Sequence, residues 1–126
     1  MTNPNRPIRC GAVGVGRMGR HHARVYAELA AAHPDRFEMV GVVDANPETA
    51  ARVAEQHNTT AFATEKELLE AGVDAVSIAV PTTFHYKSAE PFLSNGVACL
   101  IEKPLAPSAE EANRIKTLAE QTGACL

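Results

Sequence analysis

Little in this sequence points toward a membrane, a nucleic acid or an oxidising compartment. No apolar run approaches the roughly 20 residues that a helix needs to cross a bilayer. Residues 1–7 are polar, hold two prolines and lack a signal-peptide core, so they read as a frayed start. Basic residues are not in excess: the formal net charge is -3, which argues against nucleic acid and anionic lipid as partners. Cysteine is sparse. Cys10, Cys99 and Cys125 form no C-x-x-C pair, so neither a metal site nor a redox motif has support. Three buried, reduced thiols in a cytoplasmic protein are the expectation. No internal repeat, low-complexity tract or linker interrupts the 126 residues, which suffice for one domain.

What is present is organised around one glycine loop. Residues 8–13 read as a short buried strand. Gly14-Val15-Gly16-Arg17-Met18-Gly19 follows, and a helix is expected over residues 17–32. The G-x-G-x-x-G pattern thus stands where a dinucleotide fold needs it, after a strand and before a helix. Gly14 permits the tight turn, Gly16 admits a pyrophosphate to the backbone, and Gly19 lets the helix approach its strand. The amides at the helix start face the anion. Met18, His22, Val25, Leu29 and Ala32 recur at helical spacing and are expected to form the inward stripe. His22 is then either a packed, hydrogen-bonded histidine or a ligand contact.

The rest of the chain alternates strand and helix. Residues 37–43 form the second strand, which ends in Asp44. An acidic residue here accepts hydrogen bonds from the adenosine ribose hydroxyls, about 20 residues beyond the glycines in the usual spacing and somewhat later here. The alternative is that Asp44 caps the next helix. Its carboxylate repels a 2′-phosphate, and no arginine stands at Ala45 or Asn46, so NAD is favoured over NADP. Asn46-Pro47 opens helix two, a short third strand spans 60–63, and Thr64 to Glu67 has the capping-box pattern of a short helix stopped by Gly72. The fourth strand, 74–80, is nearly all apolar, as in a parallel sheet covered on both faces. It ends in Pro81-Thr82-Thr83-Phe84-His85. Strand ends line the crevice of such a sheet, so Pro81, Thr82 and His85 are candidates for the nicotinamide half. The threonines serve equally well as turn or cap residues, and His85 as a surface histidine. A helix over 83–94 contains Pro91, for which no function suggests itself. The fifth strand, 97–101, leads into Glu102-Lys103-Pro104. Two charges at the end of a buried strand are costly without a partner. Ser108 opens a last helix to residue 121, with Ala112, Ile115 and Ala119 inward, and Ala124-Cys125-Leu126 reads as the start of a sixth strand. The fold class is α/β, a doubly wound parallel sheet of order 3-2-1-4-5 with a partial sixth strand.

The glycine loop, Val42-Val43-Asp44, Ala79-Val80-Pro81 with His85, and Gly96 through Glu102-Lys103-Pro104 together resemble the amino-terminal half of the Gfo/Idh/MocA oxidoreductases, relatives of glucose–fructose oxidoreductase and inositol dehydrogenase. The resemblance covers nearly the whole chain. It implies a NAD(P)-binding Rossmann domain from an enzyme that moves hydride between nicotinamide and a hydroxyl-bearing carbon of a sugar, cyclitol or related polyol. It implies that Lys103 is the catalytic residue, beside the nicotinamide and the substrate carbon, and that Glu102 orients Lys103 or the cofactor amide. It also implies a cis Lys103–Pro104 bond. Gly14, Gly16, Arg17, Met18, Gly19, Asp44, Pro81, Thr82, His85 and Glu102 are the candidate cofactor contacts. Family members continue into a second domain that supplies the substrate pocket and much of the dimer contact. Residues 1–126 are therefore expected to be an isolated cofactor domain, a fragment of a homo-oligomer, which binds cofactor weakly and turns over little alone. The competing readings are a non-catalytic dinucleotide sensor and, less favoured, an interaction domain built on an empty nucleotide fold.

Overall fold

The computed structural model describes residues 5–126. Eleven elements follow in order: β1 (Ile8–Val13), α1 (Gly19–Ala32), β2 (Phe37–Val43), α2 (Pro47–Gln56), β3 (Thr60–Phe62), α3 (Glu65–Ala71), β4 (Ala75–Ile78), a 3-10 turn (Thr82–Phe84), α4 (His85–Leu93), β5 (Ala98–Ile101) and α5 (Ala109–Thr122). All strand pairs are parallel, and the sheet order is β3-β2-β1-β4-β5. The chain reverses its direction of winding between β1 and β4, and the strand ends splay into a crevice there.

Successive strand residues face opposite sides of a sheet, and the two cores follow from that. Ala12 and Val42 join Val15, Ala23, Ala50 and Val53 on the face covered by α1 and α2. Their neighbours Val13 and Val43 join Leu68, Ile78, Phe92, Leu93 and Ile115 on the face covered by α3, α4 and α5. Leu68, Phe92, Leu93 and Ile115 are fully buried. Each contributes roughly 1.5–3 kcal/mol by leaving water, so the second face buries the bulkier side chains.

Side chains set the helix starts. Asn46 accepts from the amides of Glu48 and Thr49, Thr64 from Glu67, and Ser108 from Glu111. Glycines set two helix ends: Gly72 and Gly123 both take positive φ. α4 runs through Pro91, whose carbonyl accepts from the Asn95 side chain at 2.7 Å.

Four sequence expectations need correction. The inward stripe of α1 is Gly19 and Ala23, flanked by half-buried Tyr26; Met18 and Val25 are exposed. Small residues bring the helix close to the sheet, and a count of bulky apolar positions cannot register that. The sixth strand is not formed among the described residues: one backbone bond ties β5 to the last residues, from the Cys99 amide to the Cys125 carbonyl at 2.9 Å. Cys125 is exposed, as its single backbone bond leaves it uncovered, whereas Cys10 and Cys99 are buried. Burial pushes the Cys10 thiol up to about 11 and the Cys99 thiol up to about 12. Finally, the start is anchored rather than frayed from Arg6 onward, because its guanidinium grips the Asp74 carboxylate through two bonds of 2.7 and 2.8 Å. Residues 1–4 lie outside those described.

Candidate functional site

The crevice is built on three backbone ties between strand ends. The Gly14 amide donates to Val43 at 2.7 Å, Ala79 to Val13 at 2.8 Å, and Glu102 to Ile78 at 3.0 Å. They hold the exits of β2, β1, β4 and β5 in one row. The loop after β1 turns at Gly14, whose φ is +80° and whose space for a side chain is taken by Ala79 and Val80. A side chain at Gly19 would overlap the Gly14 carbonyl, so only a glycine lets α1 start this close. At Gly16 a Cβ would meet nothing within 4 Å, and the backbone is open on that side.

The first bond of α1 runs from the Arg20 amide to the Gly16 carbonyl at 3.1 Å, so the amides of residues 16–19 precede it. The N-terminus of α1 has no side-chain cap and no acidic residue in its first turn. Open space at Gly16 and uncapped amides behind it fit a diphosphate.

Asp44 stands at the end of β2, half-buried. One carboxylate oxygen accepts from the Val15 amide and the other from the Asn46 amide, both at 2.9 Å. It therefore joins the glycine loop to the turn into α2. The cap of α2 is Asn46, not Asp44.

A cavity of about 710 Å³ occupies the crevice. Gly14, Gly16, Arg17, Met18, Asp44 and Pro81 all line it. Gly19 lies behind the loop, buried, and Thr82 begins the 3-10 turn just past Pro81. Sequence reasoning missed Glu65, Phe84, Lys87 and Ser88, which complete the walls. A signal did exist for three of them: positions 84, 87 and 88 share one face of a helix.

His85 is neither a surface residue nor a wall of this cavity. It is 1% exposed, and its ring nitrogens lie 2.9 Å from the Val80 carbonyl and 3.0 Å from that of Leu105. It braces the loop after β4 against the loop after β5. The ring is held inward because its N–H meets a backbone carbonyl in either tautomer, that of Val80 from Nε2 or that of Leu105 from Nδ1.

The charges after β5 are placed by another histidine. His22, one turn into α1, has Nε2 2.8 Å from Glu102 Oε1. The His22 hydrogen bond, opposed by burial and aided by the neighbouring positive charges, holds the Glu102 carboxyl below the usual carboxylate range. This is the partner that the buried-strand charge required. Lys103 is exposed, lies outside the cavity, and is joined to Pro104 by a cis peptide bond.

A parallel sheet whose winding reverses beside an uncapped glycine loop, with an acidic residue at the next strand end, defines a dinucleotide-binding α/β domain. The chain belongs to the GFO_IDH_MocA family, described as an oxidoreductase family with an NAD-binding Rossmann fold, whose model matches residues 8–126. It is 42% identical over 114 residues to a UDP-N-acetylglucosamine 3-dehydrogenase of Acidithiobacillus ferrooxidans, covering 90% of this chain and 34% of that protein. It is 34% identical over 120 residues to an inositol 2-dehydrogenase of Corynebacterium glutamicum, covering 93% of this chain and 34% of the relative. The chain thus spans about a third of the length of these curated relatives. Among solved structures, the Acidithiobacillus enzyme superposes with a TM-score of 0.83 at 41% identity, over 93% of this chain and 35% of that one. The WlbA dehydrogenase of Bordetella pertussis, solved with NADH and UDP-GlcNAcA, superposes with a TM-score of 0.83 at 29% identity, over 98% of this chain and 36% of that one.

Proposed function

We propose that this chain forms the cofactor half of a dehydrogenase acting on a hydroxyl-bearing carbon of a sugar, cyclitol or related polyol. Asp44 accepts hydrogen bonds from the adenosine ribose. The amides of residues 16–19 take the diphosphate, with Arg17 and Met18 at the rim. Pro81, Thr82 and Glu102 border the nicotinamide end. NAD, when bound, supplies the hydride acceptor. Lys103 hydrogen-bonds the substrate hydroxyl, assists the movement of its proton and stabilises negative charge developing on that oxygen. The substrate pocket and the subunit contacts belong to a further domain of the whole enzyme.

The observation that carries this reading is the 2.8 Å pair between His22 and Glu102. It fastens the start of the Glu102-Lys103-Pro104 turn to the helix that springs from the glycine loop. Phosphate binding and chemistry then share one rigid frame, which a loop serving only for binding does not need.

Two measurements test it. NADH titrated against this chain should bind, and Asp44→Ala should weaken binding about tenfold, the loss of a charged hydrogen-bond acceptor worth about 1.5 kcal/mol. Absence of binding by both proteins would remove the cofactor reading. In the full-length enzyme, Lys103→Ala should lower turnover by roughly two to three orders of magnitude with little change in NADH affinity. The reverse pattern would move Lys103 to cofactor binding.

A further inference from the structure

The large cavity is not centred on the end of the crevice where Lys103 stands. Its walls come from the glycine loop, the ends of β1 to β4 and the starts of α3 and α4, and they include none of His22, Glu102 or Lys103. It spans the sheet reversal, from Ala63 past the end of β3, across Asp44, to Pro81 past the end of β4. A dinucleotide whose ribose rests on Asp44 sends its base into this space. The sheet order places Ala45 and Ala63 on one side and Pro81 and Phe84 on the other, all lining the cavity. Phe84 is 52% exposed, a large apolar ring without full cover. Such walls suit the two faces of a flat heterocycle, and they do not distinguish one purine from another.

What distinguishes purines is the hydrogen-bonding edge, and Glu65 is placed to meet it. It lines the same cavity from the first turn of α3. Its Oε1 accepts a 3.0 Å hydrogen bond from the Ser88 hydroxyl of α4, and Ser88 is 5% exposed. The bond fixes the carboxylate between two helices. With one oxygen engaged by Ser88, the other keeps its capacity to accept, and an ionised carboxylate offers no donor.

We propose that Glu65 reads the base and selects a 6-aminopurine over a 6-oxopurine. The exocyclic amine of adenine donates to the carboxylate. The carbonyl oxygen at the same position of hypoxanthine meets an acceptor with an acceptor. A site built to pair a substrate N–H penalises an analogue that lacks it far more than an apolar wall penalises a change of shape. This inference rests on the dinucleotide reading above, and the experiment separates the two.

Reduced NAD and its hypoxanthine analogue are titrated, by nicotinamide fluorescence, against the wild-type chain and Glu65→Gln. The wild type should bind the adenine form at least about tenfold more tightly. Glu65→Gln can keep the Ser88 bond through its amide oxygen and present a donor to the base, so the preference should fall to about one or invert. Glu65→Ala, which removes the acceptor without adding a donor, should also abolish the preference. A wild-type ratio near one, with both compounds bound, overturns the inference and leaves the dinucleotide reading standing. A strong preference that survives both substitutions overturns it too, since another group then reads the base. If neither compound binds, the cofactor reading falls and this inference falls with it.

Discussion

Within the loop after β1, Gly16 and Gly19 make opposite demands on an added methyl group. Gly16 has room for one on the bare protein, and Gly19 does not. Gly16→Ala should therefore leave stability within about 0.5 kcal/mol of wild type while weakening NADH binding. Gly19→Ala should destabilise the fold by about 1–3 kcal/mol, the cost of overpacking, whatever the ligand. Thermal unfolding of both variants with and without NADH checks the pair. Equal destabilisation by both would mean that the loop is spaced for packing alone. The glycine pattern and the acidic strand end were legible in the sequence because glycine is demanded by backbone geometry at short range. The fate of His85 was not legible, since its partners, Val80 and Leu105, include a carbonyl 20 residues away. The His22–Glu102 pair was hidden for the same reason, at a separation of 80 residues. Only the oddity of a charge at a buried strand end hinted at it.

The start of the chain and the start of β4 are joined by Asp74, between α3 and β4, which accepts from the Arg6 guanidinium and from the Arg9 amide. The Arg6 hydrogen bond, against the opposing effect of burial and with help from the Arg9 amide, holds the Asp74 carboxyl below its ordinary range. A depressed carboxyl stabilises the folded chain at pH values above the unfolded range near 4. That contribution is lost as pH falls through the lower, folded value. Asp74→Asn should cost on the order of 1 kcal/mol at pH 7 and flatten the loss of stability below about pH 4. Urea unfolding at several pH values measures it; an unchanged acid slope would contradict the assignment. Element boundaries were legible where a cap or a glycine marks them, as at Asn46, Thr64, Ser108, Gly72 and Gly123. The facing of α1 was not, because hydrophobic spacing weights bulky side chains and this helix docks on Gly19 and Ala23.

For the molecule as a whole, the alternation of apolar strands and capped helices constrains the topology strongly. Parallel neighbours need crossovers, crossovers are right-handed, and a chain that starts at a central strand must wind both ways. That is why the order β3-β2-β1-β4-β5 could be anticipated, while the unformed sixth strand could not: pairing at an edge depends on what lies beyond it. A second cavity, of about 400 Å³, lies elsewhere, lined by Ala27, Ala30, Phe37, Met39 and His57. The cofactor is expected in the first. Two-dimensional amide NMR of this chain during an NADH titration decides between them. The largest shifts should fall at Gly16 to Arg20, Ala45, Ala63 to Glu65 and Thr82. Shifts gathered at Ala27, Ala30, Met39 and His57 instead, with the glycine loop unmoved, would contradict the assignment.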